Sequence, residues 1–182
     1  MINDNMVYDL IKGSSSLLFI ISTLKVFYCS DFIQCKISNL YLIFASYIYN
    51  ASDMNEKFLL YDYLAIYLVC TSFINRLYIT IPLWMSLLYE YKYNNSIENT
   101  KNISFVIAVT KSSIYTYYYL DIFYFIILLL SISGSCIFYK LRNYFYVTLN
   151  IRKYNLFLTY VFHFCIMNII YISSITDIEK NI

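Results

Sequence analysis

Residues 120–139 read LDIFYFIILLLSISGSCIFY, twenty positions whose only ionisable carboxylate, Asp121, stands at the start. A helix must offer about 20 largely apolar residues to cross a hydrocarbon core of about 30 Å, and this run meets that length. The same template predicts spans near 14–29, 36–50, 58–74, 77–91, 103–119, 120–139 and 155–175. The breaks between them are polar: Ser30-Asp31, the stretch from Ala51 to Lys57, Asn75-Arg76, and Lys92 to Asn102. Only the division at Tyr119-Leu120 is open, because the apolar run from Ile114 to Tyr139 also suits one tilted helix.

Composition points the same way. Of 182 residues, 60% are hydrophobic and 21% aromatic, and only 13% are charged. A soluble domain carries about 25% charge to cover its surface, and the mean hydropathy here is +0.59. With Gly 2 and Pro 1 there is little turn chemistry for a sandwich or barrel, and no alternating run recurs at strand spacing. The expected fold is all-α: a polytopic membrane helical bundle of about seven transmembrane helices, with residues 1–182 forming a single transmembrane domain. The 23 tyrosines, with abundant Ile, Asn, Lys and Phe, match a strongly AT-biased genome, so aromatic stripes carry no cofactor signal.

A net charge of +2 implies no nucleic-acid partner and no polybasic lipid-binding surface. There is no Gly-rich phosphate loop, no nucleophile elbow and no HExxH. Cys70, Cys136 and Cys165 lie in apolar runs as small hydrophobes, whereas Cys29 and Cys35 flank the first turn and could pair in an oxidising lumen. The opening MINDNMVYDLIK carries Asp4 and Asp9 before its first Lys, so it reads neither as a signal peptide nor as a mitochondrial presequence. The first span is therefore expected to direct insertion, unless the protein is made where it is used. Lys140, Arg142, Arg152 and Lys153 form the strongest positive bias, which assigns the 140–153 loop to the cytosol. The sequons at Asn94 and Asn102 fall on that same side and would be idle.

Chemistry is confined to a few polar side chains inside these runs. Ser46 and Asn50 are four apart and share a helix face; helix-packing glue and a functional pair are both open readings. Asp62 is either a carboxylate at membrane depth seeking a partner or an interfacial acid favoured by the macrodipole near its helix start. His163 is the only histidine and lies deep in the last span. Lys25 and Lys111 are expected to snorkel or to pair with an acid such as Asp121.

The segment from Ser46 to Asp53, then Glu56-Lys57 and Asp62-Tyr63, resembles the S-x-x-F-H-x-R-D … E-K-x-D-Y run of the GPI-anchor lipid-remodelling proteins (the post-GPI-attachment factor three family). Gly13-Ser14-Ser15-Ser16-Leu17-Leu18-Phe19 is similar to the E-P-A-S-V-L-F that opens that family's first helix. Thr159 to His163 stands where the family has H-x-x-W-H, with Asp177 following. The family belongs to the CREST superfamily of seven-helix membrane hydrolases, with alkaline ceramidases and the progestin/adiponectin receptor–haemolysin III proteins. Asp62-Tyr63-Leu64-Ala65-Ile66 fits the receptor–haemolysin branch as well.

The resemblance implies a catalytic set of Ser46, Asp62 and His163, with His163 as a zinc ligand and Asp62 orienting the site. Asn50 and Thr159 occupy the other two expected ligand positions, and neither an amide nor a hydroxyl is a good zinc ligand. A catalytic zinc site normally has three protein ligands and a water, so zinc and acyl-ester hydrolysis are expected to be weak or absent. Histidine at both 50 and 159 would be expected to restore zinc affinity. The family's cysteine-rich region before the first helix is missing, which suggests a shortened gene product or a divergent homologue. The expected partners are membrane lipid and GPI-anchored proteins in the endoplasmic reticulum or Golgi. The alternative is a non-catalytic subunit of a respiratory complex in the mitochondrial inner membrane, with membrane-complex subunits as partners.

Overall fold

In a computed structural model, residues 4–30, 33–52, 56–74, 77–145 and 152–178 are described, and among them every regular element is helical. The helices are α1 (Asp4–Ser14), a 3₁₀ turn (Ser15–Leu18), α2 (Phe19–Cys29), α3 (Ile33–Ala51), α4 (Glu56–Ile74), α5 (Leu77–Asn94), α6 (Glu98–Tyr119), α7 (Ile122–Asn143) and α8 (Arg152–Ile178). Because the 3₁₀ turn joins α1 to α2, these elements make seven rods.

Local chemistry sets the boundaries. The open division at Tyr119-Leu120 resolves into two helices because Asp121 is an N-cap, its side chain accepting from the Phe123 amide at 2.9 Å. Asp121 thus caps its own helix. Lys111 instead donates to the carbonyls of Phe73 and, at 3.0 Å, Ile74, satisfying the carbonyl end of α4. Between α5 and α6 the chain turns at Asn95, whose φ of 51° lies in the left-handed region that asparagine tolerates. Glu90 then reaches across the turn, accepting from the amides of Asn99 (2.9 Å) and Thr100 (2.8 Å) and from the Thr100 hydroxyl (2.7 Å). A carboxylate so placed complements the positive end of α6.

The first rod departs from expectation. It starts at Asp4 rather than near residue 14, and it tightens in the middle. The hydroxyls of Ser14 and Ser15 each donate at 2.6 Å to a carbonyl three residues back, Ile11 and Lys12. Such bonds compete with the α-helical ladder and accompany the 3₁₀ turn.

Among the described residues, three helical segments are long and apolar enough to cross a membrane: Val7–Tyr28, Ile122–Asn143 and Tyr154–Ile175; Phe58–Ile74 is a shorter apolar helix. On α3 and α6 many of the polar residues that dilute hydropathy face inward. On α6 the buried face is Thr100, Ser104, Ala108, Ser112 and Thr116, one residue every turn. Small side chains of this kind let helices approach closely in a bilayer. The outside is correspondingly apolar, with Leu130, Ile137, Phe157 and Phe164 exposed. Polar atoms inside and large apolar ones outside is the arrangement lipid solvent favours, the inverse of a soluble bundle. Consecutive rods pack against one another and so alternate in direction.

The apolar core lies in three clusters. One joins the first rod to α3, α4 and α8 through Phe19, Leu42, Val69 and Ile170. A second, around Tyr67, Leu83 and Leu87, joins α4, α5 and α6, and the third sets Leu128 against Ile169 and Ile172.

Candidate functional site

The alternation of rods brings the C-terminal half of α3, the N-terminal halves of α4, α6 and α8, and the C-terminal half of α7 to one end of the bundle. A cavity of about 250 Å³ opens there, a little under the range of about 300–1,000 Å³ usual for ligand pockets. Ser46, Asn50, Asp62 and His163 all line it. So do Lys101 and Arg142, whose charges act on Asp62. Further along the same helices the lining becomes apolar, with Val69, Phe73, Val109, Ile166 and Ile170. Asn102 on α6 and Cys136 on α7 line the cavity and are themselves exposed, so it communicates with the outer surface there.

Ser46 is the hub of the hydrogen bonding. Its hydroxyl accepts from the Ser16 hydroxyl at 3.1 Å and from Asn50 Nδ2 at 3.3 Å, and it lines the cavity together with Asp62. Asn50 also donates to the Ser46 carbonyl at 2.8 Å, leaving Oδ1 buried with no partner. His163 Nδ1 lies 2.8 Å from the Ser15 hydroxyl, and its ring sits between Phe19 and Phe162, at 5.1 and 5.6 Å between centroids. The 3₁₀ turn thus presents consecutive serines to two walls, Ser15 to α8 and Ser16 to α3. Gly13 permits this: a Cβ there would lie 2.8 Å from Ala51 Cβ, so only glycine lets the first rod approach α3 so closely.

Thr159 is the exception among the expected residues. It is fully buried, but its hydroxyl donates to the Asn155 carbonyl at 2.8 Å and it does not line the cavity. One helical turn separates it from His163, and the α8 face it occupies packs toward the first rod, where Asn155 bonds the Tyr8 hydroxyl at 3.2 Å. Asp53 and the side chains of Glu56, Lys57, Cys29 and Asp177 lie outside the described residues. Cys35 is buried with Sγ 3.6 Å from the Ser72 carbonyl.

The donor set does not fit a three-ligand zinc centre. Among the described residues, no three His, Cys, Asp or Glu side chains are grouped to hold a metal ion. His163 has one nitrogen engaged by Ser15, Asn50 has its amide nitrogen committed to Ser46, and Thr159 points elsewhere. What the cavity offers is hydrogen bonding and charge over an apolar floor.

Lys101 and Arg142 carry that charge, and sequence reasoning passed over both. Lys101 fell in the polar stretch before the fifth expected span, and Arg142 in the basic loop after the sixth. Their aromatic neighbours were the available signal: Tyr139 stands three residues before Arg142, on the same helix face. Comparison of the chain with protein families, characterised proteins and solved structures finds no match.

Proposed function

We propose that this is a seven-span membrane protein of the GPI-anchor lipid-remodelling type that holds a membrane lipid in its cavity without metal-dependent hydrolysis. One observation carries the reading: Ser46, Asn50, Asp62 and His163, drawn from three helices, open onto a single cavity with a polar end and an apolar extension. A side chain such as Asp62 is costly at membrane depth, by about 2.5–3.5 kcal/mol on insertion scales, and characteristically faces a bundle interior where it does a job. The apolar extension suits an acyl chain and the openings at Asn102 and Cys136 suit entry from the side. The resemblance supplies the lipid-remodelling class and the endoplasmic reticulum or Golgi as its place. The remaining donor set supports binding of the lipid over hydrolysis of its acyl ester.

Purification of the full chain in mild detergent, followed by lipid extraction, metal analysis and a fatty-acid release assay on GPI-type lipid, tests this. Co-purifying lipid, substoichiometric zinc and no release are expected. Stoichiometric zinc that disappears in His163→Ala would instead make this an enzyme with an unusual ligand set. A tagged copy found in mitochondria with respiratory subunits would overturn the lipid-remodelling assignment.

A further inference from the structure

The charges in the cavity are unbalanced. Lys101 and Arg142 line it, and Asp62 is the one carboxylate among the lining residues. Glu98 is within electrostatic reach of Lys101, but it is exposed and not part of the wall. Arg142 is only 4% exposed, and its Nε is buried with no hydrogen-bond partner. The guanidinium lies 5.2 Å from the rings of both Tyr139 and Phe162, within cation–π range of each, with Asp62 as the acid within electrostatic reach. Lys101 sits 3.8 Å over the ring of Tyr63, on the wall contributed by α4. A buried cation with an unmade hydrogen bond is an unstable arrangement unless something else completes it.

We propose that Arg142 and Lys101 form a receptor for the phosphate of an anionic phospholipid, whose acyl chain occupies the apolar extension of the cavity. The inference rests on the lipid-holding function above and names its ligand class. A guanidinium presents parallel donors that match two phosphate oxygens, and the ammonium of Lys101 adds a point charge from the facing helix. A phosphodiester brings one negative charge, which neutralises the surplus left by two cations and Asp62. Aromatic faces around both cations hold them in place before the ligand arrives, and the apolar floor beyond them explains why the ligand is a lipid rather than a free ion. Neither residue belongs to the Ser, Asp and His pattern of the resembled family.

The test uses the full chain in nanodiscs of phosphatidylcholine doped with phosphatidylglycerol, with retained lipid counted by mass spectrometry after re-isolation. The wild type is expected to retain phosphatidylglycerol at least tenfold over its bulk proportion, and excess inorganic phosphate is expected not to displace it. Arg142→Gln and Lys101→Gln should each lower that enrichment several-fold, whereas Arg142→Lys, which keeps the charge and guards against a mere folding defect, should keep part of it. Phe73→Trp, which fills the apolar extension, should reduce retention of every lipid alike. Retention of both lipids in bulk proportion, unchanged by Arg142→Gln, would overturn the phosphate receptor while leaving the lipid cavity standing. Displacement by inorganic phosphate alone, or preferential retention of added oleate, would overturn the assignment to a phospholipid. No retained lipid of any kind would overturn both readings.

Discussion

Gly13→Ala tests how the site is assembled, because it adds one methyl group where the first rod meets α3. The new Cβ would lie 2.8 Å from Ala51 Cβ, 3.2 Å from the Tyr47 carbonyl oxygen and 3.3 Å from Ala51 Cα. The first of these is short of the carbon–carbon optimum of about 3.5–4.0 Å by about 0.7–1.2 Å. No atom in the contact is the free end of a flexible side chain, so the rod itself must retreat. Overpacking of this kind costs about 1–3 kcal/mol, against a gain of up to about 1 kcal/mol from replacing glycine in a helix. The net expectation is a loss of about 1 kcal/mol. A retreat of that size would also stretch the 3.1 Å Ser16–Ser46 bond beyond useful range, coupling the fold to the cavity. Thermal unfolding in detergent of Gly13→Ala, Ala51→Gly and the double variant measures the contact as a cycle. The double variant should recover most of the loss, since it removes the closest clash. A Gly13→Ala protein as stable as wild type, with no coupling to Ala51→Gly, would refute the close approach. Gly134→Ala is the internal comparison: its Cβ would meet only Cys165 Sγ tightly, at 3.0 Å, and a thiol can rotate away. It is expected to be neutral or slightly stabilising.

Three further outcomes follow from the same geometry. Glu90→Ala removes the acceptor of three hydrogen bonds at the start of α6, and with charged bonds worth about 1.5–3 kcal/mol each it should destabilise by about 2 kcal/mol overall. Hydrogen exchange at Asn99 and Thr100 should accelerate first, and uniform acceleration along α6 would show that Glu90 is not its cap. Asn50→His with Thr159→His should not create tight zinc binding, contrary to the expectation from sequence, because residue 159 does not face the cavity; a calorimetric titration giving nanomolar zinc would contradict that placement. Alkylation of Cys136, which is exposed and lines the cavity, should slow when lipid is bound, and a rate independent of lipid would separate that opening from the ligand.

Much of the architecture could be read from the chain because it depends on one physical variable, the hydropathy of a helical face against lipid. The expected spans 58–74 and 120–139 overlie α4 and α7 closely, and the polar stretch from Lys92 to Asn102 contains the turn between α5 and α6. Membrane length was less legible: among the described residues three helices have it by composition, since α3 and α6 place many of their polar residues on inward faces that a linear hydropathy count cannot distinguish from outward ones. Helical periodicity placed Ser46 and Asn50 on one face, and they do share the cavity wall. The same periodicity paired Thr159 with His163, and there it misled. Position four residues away fixes only an approximate angle, of about 40° per step of four, and the wall of a small cavity is narrow enough for that angle to matter.

Arg142 and Lys101 were hidden for a different reason. Long cations at the ends of apolar runs ordinarily extend toward water, and only the ring of Tyr139, three residues before Arg142, offered a sign in the sequence that one of them turns inward. What turns them is aromatic surface contributed by separate helices: Tyr139 and Phe162 beside Arg142, Tyr63 under Lys101. Phe162 precedes His163 by one residue, so the helix that presents the sole imidazole to Ser15 also supplies part of the seat for the guanidinium. Removing that ring by Phe162→Ala should therefore loosen Arg142 and His163 together. The two sets of polar groups, one anticipated and one not, belong to a single arrangement: hydroxyls and Asp62 on the α3–α4 side, cations across from them, and between them the cavity that all of them line.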